Sequence, residues 1–270
     1  MNSKFSKHIE DRLKNWKEED LVGYCSICGH FGFWQRGDGK SFRESYQCEK
    51  CHCALRWRDQ ASLVVDNFSD GRISNLEAMV ELGYMDGLDI YEIANRGPFV
   101  KRLNKLERYT QSYFQEDMES GETNELGIRN EDIQNLSFDD KSFDLIISSD
   151  VMEHVEDYKK AFKEILRVLK DDGVYIFTIP IGYPFPEKTV TRARRIEGKI
   201  KNYKDKRYHI GGDGSKCLVY TDFGADLKII VESMGGKLNA VRRNLMHPAT
   251  IINITYTMRK ASPYCQGNEY

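Results

Sequence analysis

From residue 88 onward, short apolar runs alternate with segments of helical period. That order places strands and crossover helices in βαβ units on a parallel sheet. Residues 88–93 read as a first strand, 99–105 as a helix, 108–114 as a second strand and 125–129 as a third. Residues 143–150, FDLIISSD, are the fourth. Ala161, Phe162, Ile165, Leu166 and Leu169 then share one face of a helix, Asp171-Asp172-Gly173 stop it, and residues 174–180 form a fifth strand. Residues 223–234 have helical period closed by Gly235-Gly236, and 249–258 are alternating and β-branched, as in a terminal strand. The predicted fold is α/β, a Rossmann-like, open, doubly wound sheet. In such sheets the ligand lies beyond the carboxyl ends of the strands, near the switch point.

The chain has 270 residues, 40% hydrophobic and 30% charged, enough for one full-sized core and a small appendage. No uncharged apolar run approaches the roughly 18 residues of a membrane helix. The opening stretch MNSKFSKHIEDRLKNWKEED is too polar for a secretory signal, so a cytoplasmic protein with no membrane partner is expected. With 40 basic and 42 acidic side chains the formal net charge is -2, and any anion binding has to be local.

Of seven cysteines, Cys25, Cys28, Cys48, Cys51 and Cys53 lie together, while Cys217 and Cys265 stand alone. Cys25-Ser-Ile-Cys28-Gly and Cys48-Glu-Lys-Cys51-His are two knuckles separated by a polar, Gly-containing stretch. Two residues between cysteines let both thiolates reach one ion about 2.3 Å away, and a second pair completes a closed tetrahedral shell. The pattern reads as a zinc ribbon with Cys25, Cys28, Cys48 and Cys51 on a structural Zn2+. His52 and Cys53 are alternative fourth ligands, and iron is the alternative metal. Between residues 4 and 70 basic side chains are balanced by as many acidic ones, which argues against nucleic acid as partner. Phe31, Phe33 and Trp34 are expected to fill the ribbon's own core rather than stack on bases.

The stretch EDIQNLSFDDKSFDLIISSDVMEHVEDYKKAFKEILRVLKDDGVYIFTIP, residues 131–180, resembles the core of class I S-adenosylmethionine-dependent methyltransferases, of the type 11 kind. The tail RYHIGGDGSKCLVYTDFGADL is a weaker match to a subgroup bearing a zinc ribbon. The resemblance implies that Asp132 accepts a hydrogen bond from the adenine amino group and that Ile133 packs on the ring. It implies that Ser149 and Asp150 line the pocket where methyl donor meets acceptor. The first motif departs from the family, reading Tyr91-Glu92-Ile93-Ala94-Asn95-Arg96-Gly97-Pro98 in place of an acid and a Gly-x-Gly-x-Gly turn. Glu92 fills the acidic position, Ala94 the first small one, and Gly97 is the remaining glycine; with Asn95 these make the expected cofactor loop. Arg96 has to point away or meet the cofactor carboxylate. Tyr113 stands where a ribose-gripping acid is expected, with Glu116 and Asp117 as substitutes. The implied organisation is an N-terminal helix and ribbon over 1–60, a helical linker over 61–86 and the methyltransferase domain over 87–270, with an acceptor-side lid at 188–222.

Methyl transfer to a hydroxyl requires alignment and removal of a proton. His154, just past the fourth strand, and His209, in the long connection after the fifth, are the candidate bases, with Asp150 beside them. Residues 188–207 carry Lys188, Arg192, Arg194, Arg195, Lys199, Lys201, Lys204, Lys206 and Arg207 against Glu197 and Asp205. They read as a lid over an anionic acceptor or as a solvated helix face. The expected activity is methylation, on oxygen, of a small-molecule or glycan-related acceptor. An RNA methyltransferase reading through its ribbon and a non-catalytic interaction protein are the alternatives.

Overall fold

The computed structural model describes residue 7 and residues 21–36, 41–182, 184–211, 214–242 and 253–261. The expected N-terminal helix and Cys265 lie outside the described residues. Strands β1 (Leu21–Tyr24) and β2 (Phe31–Trp34) form an antiparallel hairpin. Helix α1 (Leu55–Phe68) follows the second knuckle, and then α2 (Leu76–Glu81), capped by Asn75, whose side chain accepts from the Ala78 N–H. The N–H groups of Leu76 and Glu77 reach the carbonyls of Ser26 and Ile27 at 2.8 and 3.0 Å. Donors that a helix start would leave unpaired thereby tie α2 to the first knuckle.

The main domain runs β3 (Ile90–Ile93), α3 (Val100–Leu103), β4 (Tyr109–Ser112), β5 (Phe143–Ser149), α4 (Tyr158–Val168) and β6 (Leu169–Thr178). Six short strands follow: β7 (Val190–Thr191), β8 (Ala193–Ile196), β9 (Lys199–Asn202), β10 (Tyr208–Ile210), β11 (Lys216–Leu218) and β12 (Thr221–Asp222). They pair antiparallel as β7 with β12, β8 with β9 and β10 with β11. Helix α5 (Leu227–Glu232), β13 (Gly236–Val241) and β14 (Thr255–Lys260) complete the described chain.

The central sheet has the order β13-β14-β6-β5-β3-β4. Strands β4, β3, β5 and β6 are parallel, and β14 is antiparallel to both of its neighbours. The order reverses direction between β3 and β5, so the crevice at their carboxyl ends is the switch point. Alternation along the strands divides the core in two. Ile90, Leu145, Ile147, Val174 and Ile176 face one way and pack with Leu63, Val64 and Val65 of α1 and with Cys25, Ile27 and Tyr46 of the cysteine region. Tyr91, Ile146, Tyr175 and Phe177 face the other way, with Phe162 and Ile165 of α4 and Leu227 of α5. Burying such a side chain is worth roughly 1.5–3 kcal/mol, so the cysteine region and the sheet stabilise one another through one core. Helix α1 runs without a break across residues 60 and 61.

Several elements differ from the sequence expectation. Residues 125–129 form no strand; only Arg129 bridges, to Ser112 and to Thr123. The Asn124 side chain accepts from the N–H groups of Leu126 and Ile128, and Gly127 turns at φ 75°, so local side-chain bonding replaces a ladder. Asp171-Asp172-Gly173 lies within β6, at a register shift against β5, rather than closing a helix turn. Gly173 is required there, because a Cβ would come within 2.8 Å of the Phe143 carbonyl oxygen. The basic segment forms strands and not a helix face, and β13 is an edge strand that periodicity did not reveal. No described helix is long and apolar enough to cross a membrane.

Candidate active site and thiol cluster

The two knuckles are built alike. The Cys25 N–H donates to the His30 carbonyl (2.9 Å) and the Gly29 N–H to the Cys25 carbonyl (2.8 Å). The Cys48 N–H donates to the Cys53 carbonyl (3.0 Å) and the His52 N–H to the Cys48 carbonyl (2.8 Å). Gly29 and His52 hold the same left-handed position, at φ 70° and 57°. His52 therefore turns the knuckle with its side chain exposed, and Cys53 donates to the Cys51 carbonyl at 3.5 Å. The sulfurs of Cys25, Cys28, Cys48 and Cys51 lie within 4.8 Å of one another, and Cys25–Cys51 and Cys28–Cys48 are each 3.7 Å apart. A tetrahedral ion with bonds of about 2.3 Å sets its sulfurs about 3.8 Å apart. The spacing fits four thiolates on one zinc.

Beyond β3 and β4 lies the turn of the first motif. Glu92 is buried and its carboxylate accepts from the Tyr109 hydroxyl at 2.7 Å. Burial pushes its carboxyl up to about 8, against the bonds from Tyr109 and the Val100 N–H. The Gln111 amide donates 2.8 Å bonds to the carbonyls of both Ala94 and Asn95, fixing the turn, while Arg96 is exposed. A Cβ on Gly97, whose φ is 159°, would find only the Glu92 carboxylate, 3.9 Å away, so the backbone there is open to close approach. Asp132 is half-buried and accepts from the Gln134 backbone N–H (2.9 Å) and side-chain amide (3.0 Å), with buried Ile133 next to it. Glu116 is exposed and pairs with Arg195 at 3.2 Å.

The tips of β5 and β6 are fastened to the cysteine region. Gln60 of α1 donates to the carbonyls of Ser148 (2.8 Å) and Ile176 (3.0 Å) and accepts from the Ser149 hydroxyl (2.7 Å). Asp150 sits at φ 55° and accepts from Arg43 at 2.7 and 3.2 Å and from Thr178 at 2.9 Å, with Arg56 at 3.6 Å. Burial opposes its ionisation, but the Arg43 and Arg56 guanidiniums and the bonds from Arg43 and Thr178 outweigh it and hold the carboxyl well below the usual range. Asp150 is thus a fixed anion that clamps the ribbon to the strand tip.

One turn further on, the 3-10 segment Met152–His154 meets the small strands. The Tyr220 N–H donates to the Glu153 carbonyl at 2.8 Å, and His154 Nδ1 lies 2.8 Å from the Leu218 carbonyl oxygen. His209, on β10 opposite Cys217 of β11, is brought against His154 with ring centroids 5.0 Å apart at 88°. The Glu153 side chain lies between them, with Oε1 3.5 Å from His154 Nε2 and 3.4 Å from His209 Nδ1. His154 and His209, 55 residues apart in sequence, thus meet in one cluster.

The basic segment is partly neutralised. Arg192 and Arg207 pair with Asp222 at 2.6 and 2.9 Å, and Arg195 pairs with Glu156 at 2.7 Å. Glu153, Arg43, Arg56 and Gln60 are the site residues that the sequence did not single out. Glu153 carried a signal, as an acid flanked by Val151, Met152 and Val155; Arg43 and Asp150, 107 positions apart, carried none.

With this geometry in view, residues 81–177, spanning β3 to β6, match the family model described as a methyltransferase domain. No curated protein matches the chain. Among solved structures, an S-adenosylmethionine-dependent methyltransferase from Mesorhizobium loti is 17% identical, at TM-score 0.41, over 65% of this chain and 92% of its own. A second, from Clostridium acetobutylicum, is 16% identical, at TM-score 0.42, over 76% of this chain and 99% of its own. A Burkholderia thailandensis 1,6-didemethyltoxoflavin-N1-methyltransferase, solved with bound 1,6-didemethyltoxoflavin and S-adenosylhomocysteine, is 15% identical, at TM-score 0.37, over 76% of this chain and 81% of its own. The chain carries a methyltransferase domain matched over residues 81–177, on a six-stranded Rossmann-like sheet.

Proposed function

We propose that the protein is an S-adenosylmethionine-dependent methyltransferase that methylates a hydroxyl of a small-molecule or glycan-related acceptor, with zinc structural in the thiol shell. The family match across β3 to β6 carries the reading. S-adenosylmethionine, when bound, supplies a methyl group on a sulfonium. The residues at the strand tips suit it. Asp132, acceptor-only, stands beside the apolar Ile133 for an adenine amino group, and the open backbone at Gly97 allows close approach. Asn95 and Ala94, held by Gln111, shape the turn, and Glu92 anchors it from below through Tyr109.

Ser149 positions the end of β5 through Gln60, and Glu116 is available for ribose once parted from Arg195. The acceptor hydroxyl docks at Glu153, His154 and His209, where its proton is removed. Asp150 positions this turn. Lid cations without a salt bridge among the described residues, such as Arg194, attract a negatively charged acceptor. Incubation of the full chain with methyl-labelled S-adenosylmethionine and pools of hydroxylated metabolites tests the reading, with label in a small acceptor expected. Label transferred to RNA or to no acceptor overturns it.

A further inference from the structure

Glu153 is 1% exposed, yet neither of its carboxylate oxygens accepts a hydrogen bond from any described residue. A buried, unsatisfied carboxylate costs several kcal/mol unless something compensates its charge. The nitrogens within 4 Å of Oε1 are those of two imidazoles, while the Arg43 guanidinium is paired with Asp150 and acts on Glu153 only through space. A carbonyl oxygen only accepts, so His154 Nδ1, 2.8 Å from the Leu218 oxygen, carries the ring's proton. In the neutral ring Nε2 then presents a bare lone pair towards Oε1 at 3.5 Å. Two acceptors facing each other repel, and a cation between them removes the conflict.

We propose that Glu153, His154 Nε2 and His209 Nδ1 form a second metal site, for a divalent first-row cation. All three ligand atoms lie within 4.8 Å of one another, and the two N–O separations are 3.4 and 3.5 Å. An ion with bonds of about 2.1 Å in tetrahedral arrangement sets neighbouring ligand atoms about 3.4 Å apart. Two imidazoles and one carboxylate suit Mn2+, Fe2+, Co2+ or Zn2+ and leave coordination positions open. The Leu218 carbonyl is the outer partner that fixes the ligating nitrogen of His154. The site assembles only when β10 and β11 dock on the Met152–His154 turn, so it joins the connection after β6 to the end of β5.

Resting on the methyltransferase reading, the open positions take the acceptor's hydroxyl oxygen. A cation lowers the pKa of a bound hydroxyl, so the histidines serve as ligands and water carries the proton away. The acceptor oxygen then forms its bond to the methyl carbon as the carbon–sulfur bond breaks, leaving its electron pair on sulfur. The products are the methyl ether, S-adenosylhomocysteine and one proton.

The test is titration of the full chain, first brought to one zinc per chain as checked by metal analysis, with Mn2+, followed by electron paramagnetic resonance, and with Co2+, followed by calorimetry. One ion per chain beyond the ribbon zinc is expected, with affinity at least tenfold weaker in Glu153→Gln and in His209→Ala. His209 is partly exposed, so its variant remains informative if the buried Glu153 change impairs folding, and thermal melting checks both. Absence of a second ion in the wild-type chain, or equal affinity in wild type and His209→Ala, overturns the site and leaves His154 and Glu153 as a proton-bridged pair. S-adenosylmethionine binding, measured on the same samples, separates the two claims. Cofactor binding without a second ion sinks the cation alone, and a second ion without cofactor binding sinks the methyltransferase reading alone.

Discussion

In the ribbon, four sulfurs on two matching turns close around one point. In the Glu153–His154–His209 cluster, three donors of two kinds converge from a 3-10 turn and a β-hairpin, and one of them is a buried carboxylate without a hydrogen bond among the described residues. A closed thiolate shell has no position for substrate, so its free energy goes into folding. An open nitrogen–oxygen set returns little stability and keeps positions for a ligand. The contrast predicts that damage to the first cluster is read in stability and damage to the second in binding and turnover.

The largest effect is expected at the shell. Cys28→Ser, or zinc removal by a chelator, should cost several kcal/mol. Because Cys25, Ile27 and Tyr46 share a core with Ile147 and Ile176, the loss should spread to the main domain. Circular dichroism melting with zinc analysis checks this. A main domain that melts at the wild-type temperature without zinc would show that the shared core does not couple the two regions. By contrast His209→Ala should leave the melting temperature nearly unchanged.

The clamp comes next. Arg43→Ala leaves Asp150 buried against only Arg56 and Thr178 and should cost about 3–5 kcal/mol in urea unfolding. Adding Asp150→Asn should recover part of it. The Asp150 carboxyl is held below its ordinary value, so the clamp's contribution is complete above that value, near pH 4, and is lost as pH falls further. The stability gap between wild type and Arg43→Ala should therefore narrow under acid.

Glu92 gives the opposite pH dependence. Its folded carboxyl is raised to about 8, so wild-type stability from this group is full below its ordinary value and declines as pH rises towards 8. Glu92→Gln should gain on the order of 3–4 kcal/mol relative to wild type between pH 5 and pH 8. A pH-independent difference would mean that Glu92 stays ionised. Smallest is the lid: reversing Arg194 and Arg195 together should leave melting unchanged while weakening KM for an anionic acceptor by up to about tenfold, because exposed pairs contribute little to folding. An unchanged KM would remove the lid from acceptor binding.

Legibility in the sequence followed the range of the interactions. The knuckles, β5 and α4 were readable because cysteine spacing, an apolar run and a 3.6-residue period are local signals. The strand expected at residues 125–129 failed because Asn124 and Gly127 satisfy the backbone locally, a competition that composition does not show. His154 and His209 were named separately from their chemistry, but their meeting depends on hairpin docking across 55 positions. The same holds for Arg43 on Asp150 and Gln60 on Ser149, where α1 carries residues from the cysteine region into the strand tips.

The central claim is that the crevice beyond β3 to β6 binds a methyl donor despite its altered first motif. Calorimetric titration of the full chain with S-adenosylmethionine and with S-adenosylhomocysteine tests it most directly. Saturable binding at one site per chain, weakened at least tenfold by Asp132→Ala, is the predicted result. No heat and no thermal shift with either compound would contradict it.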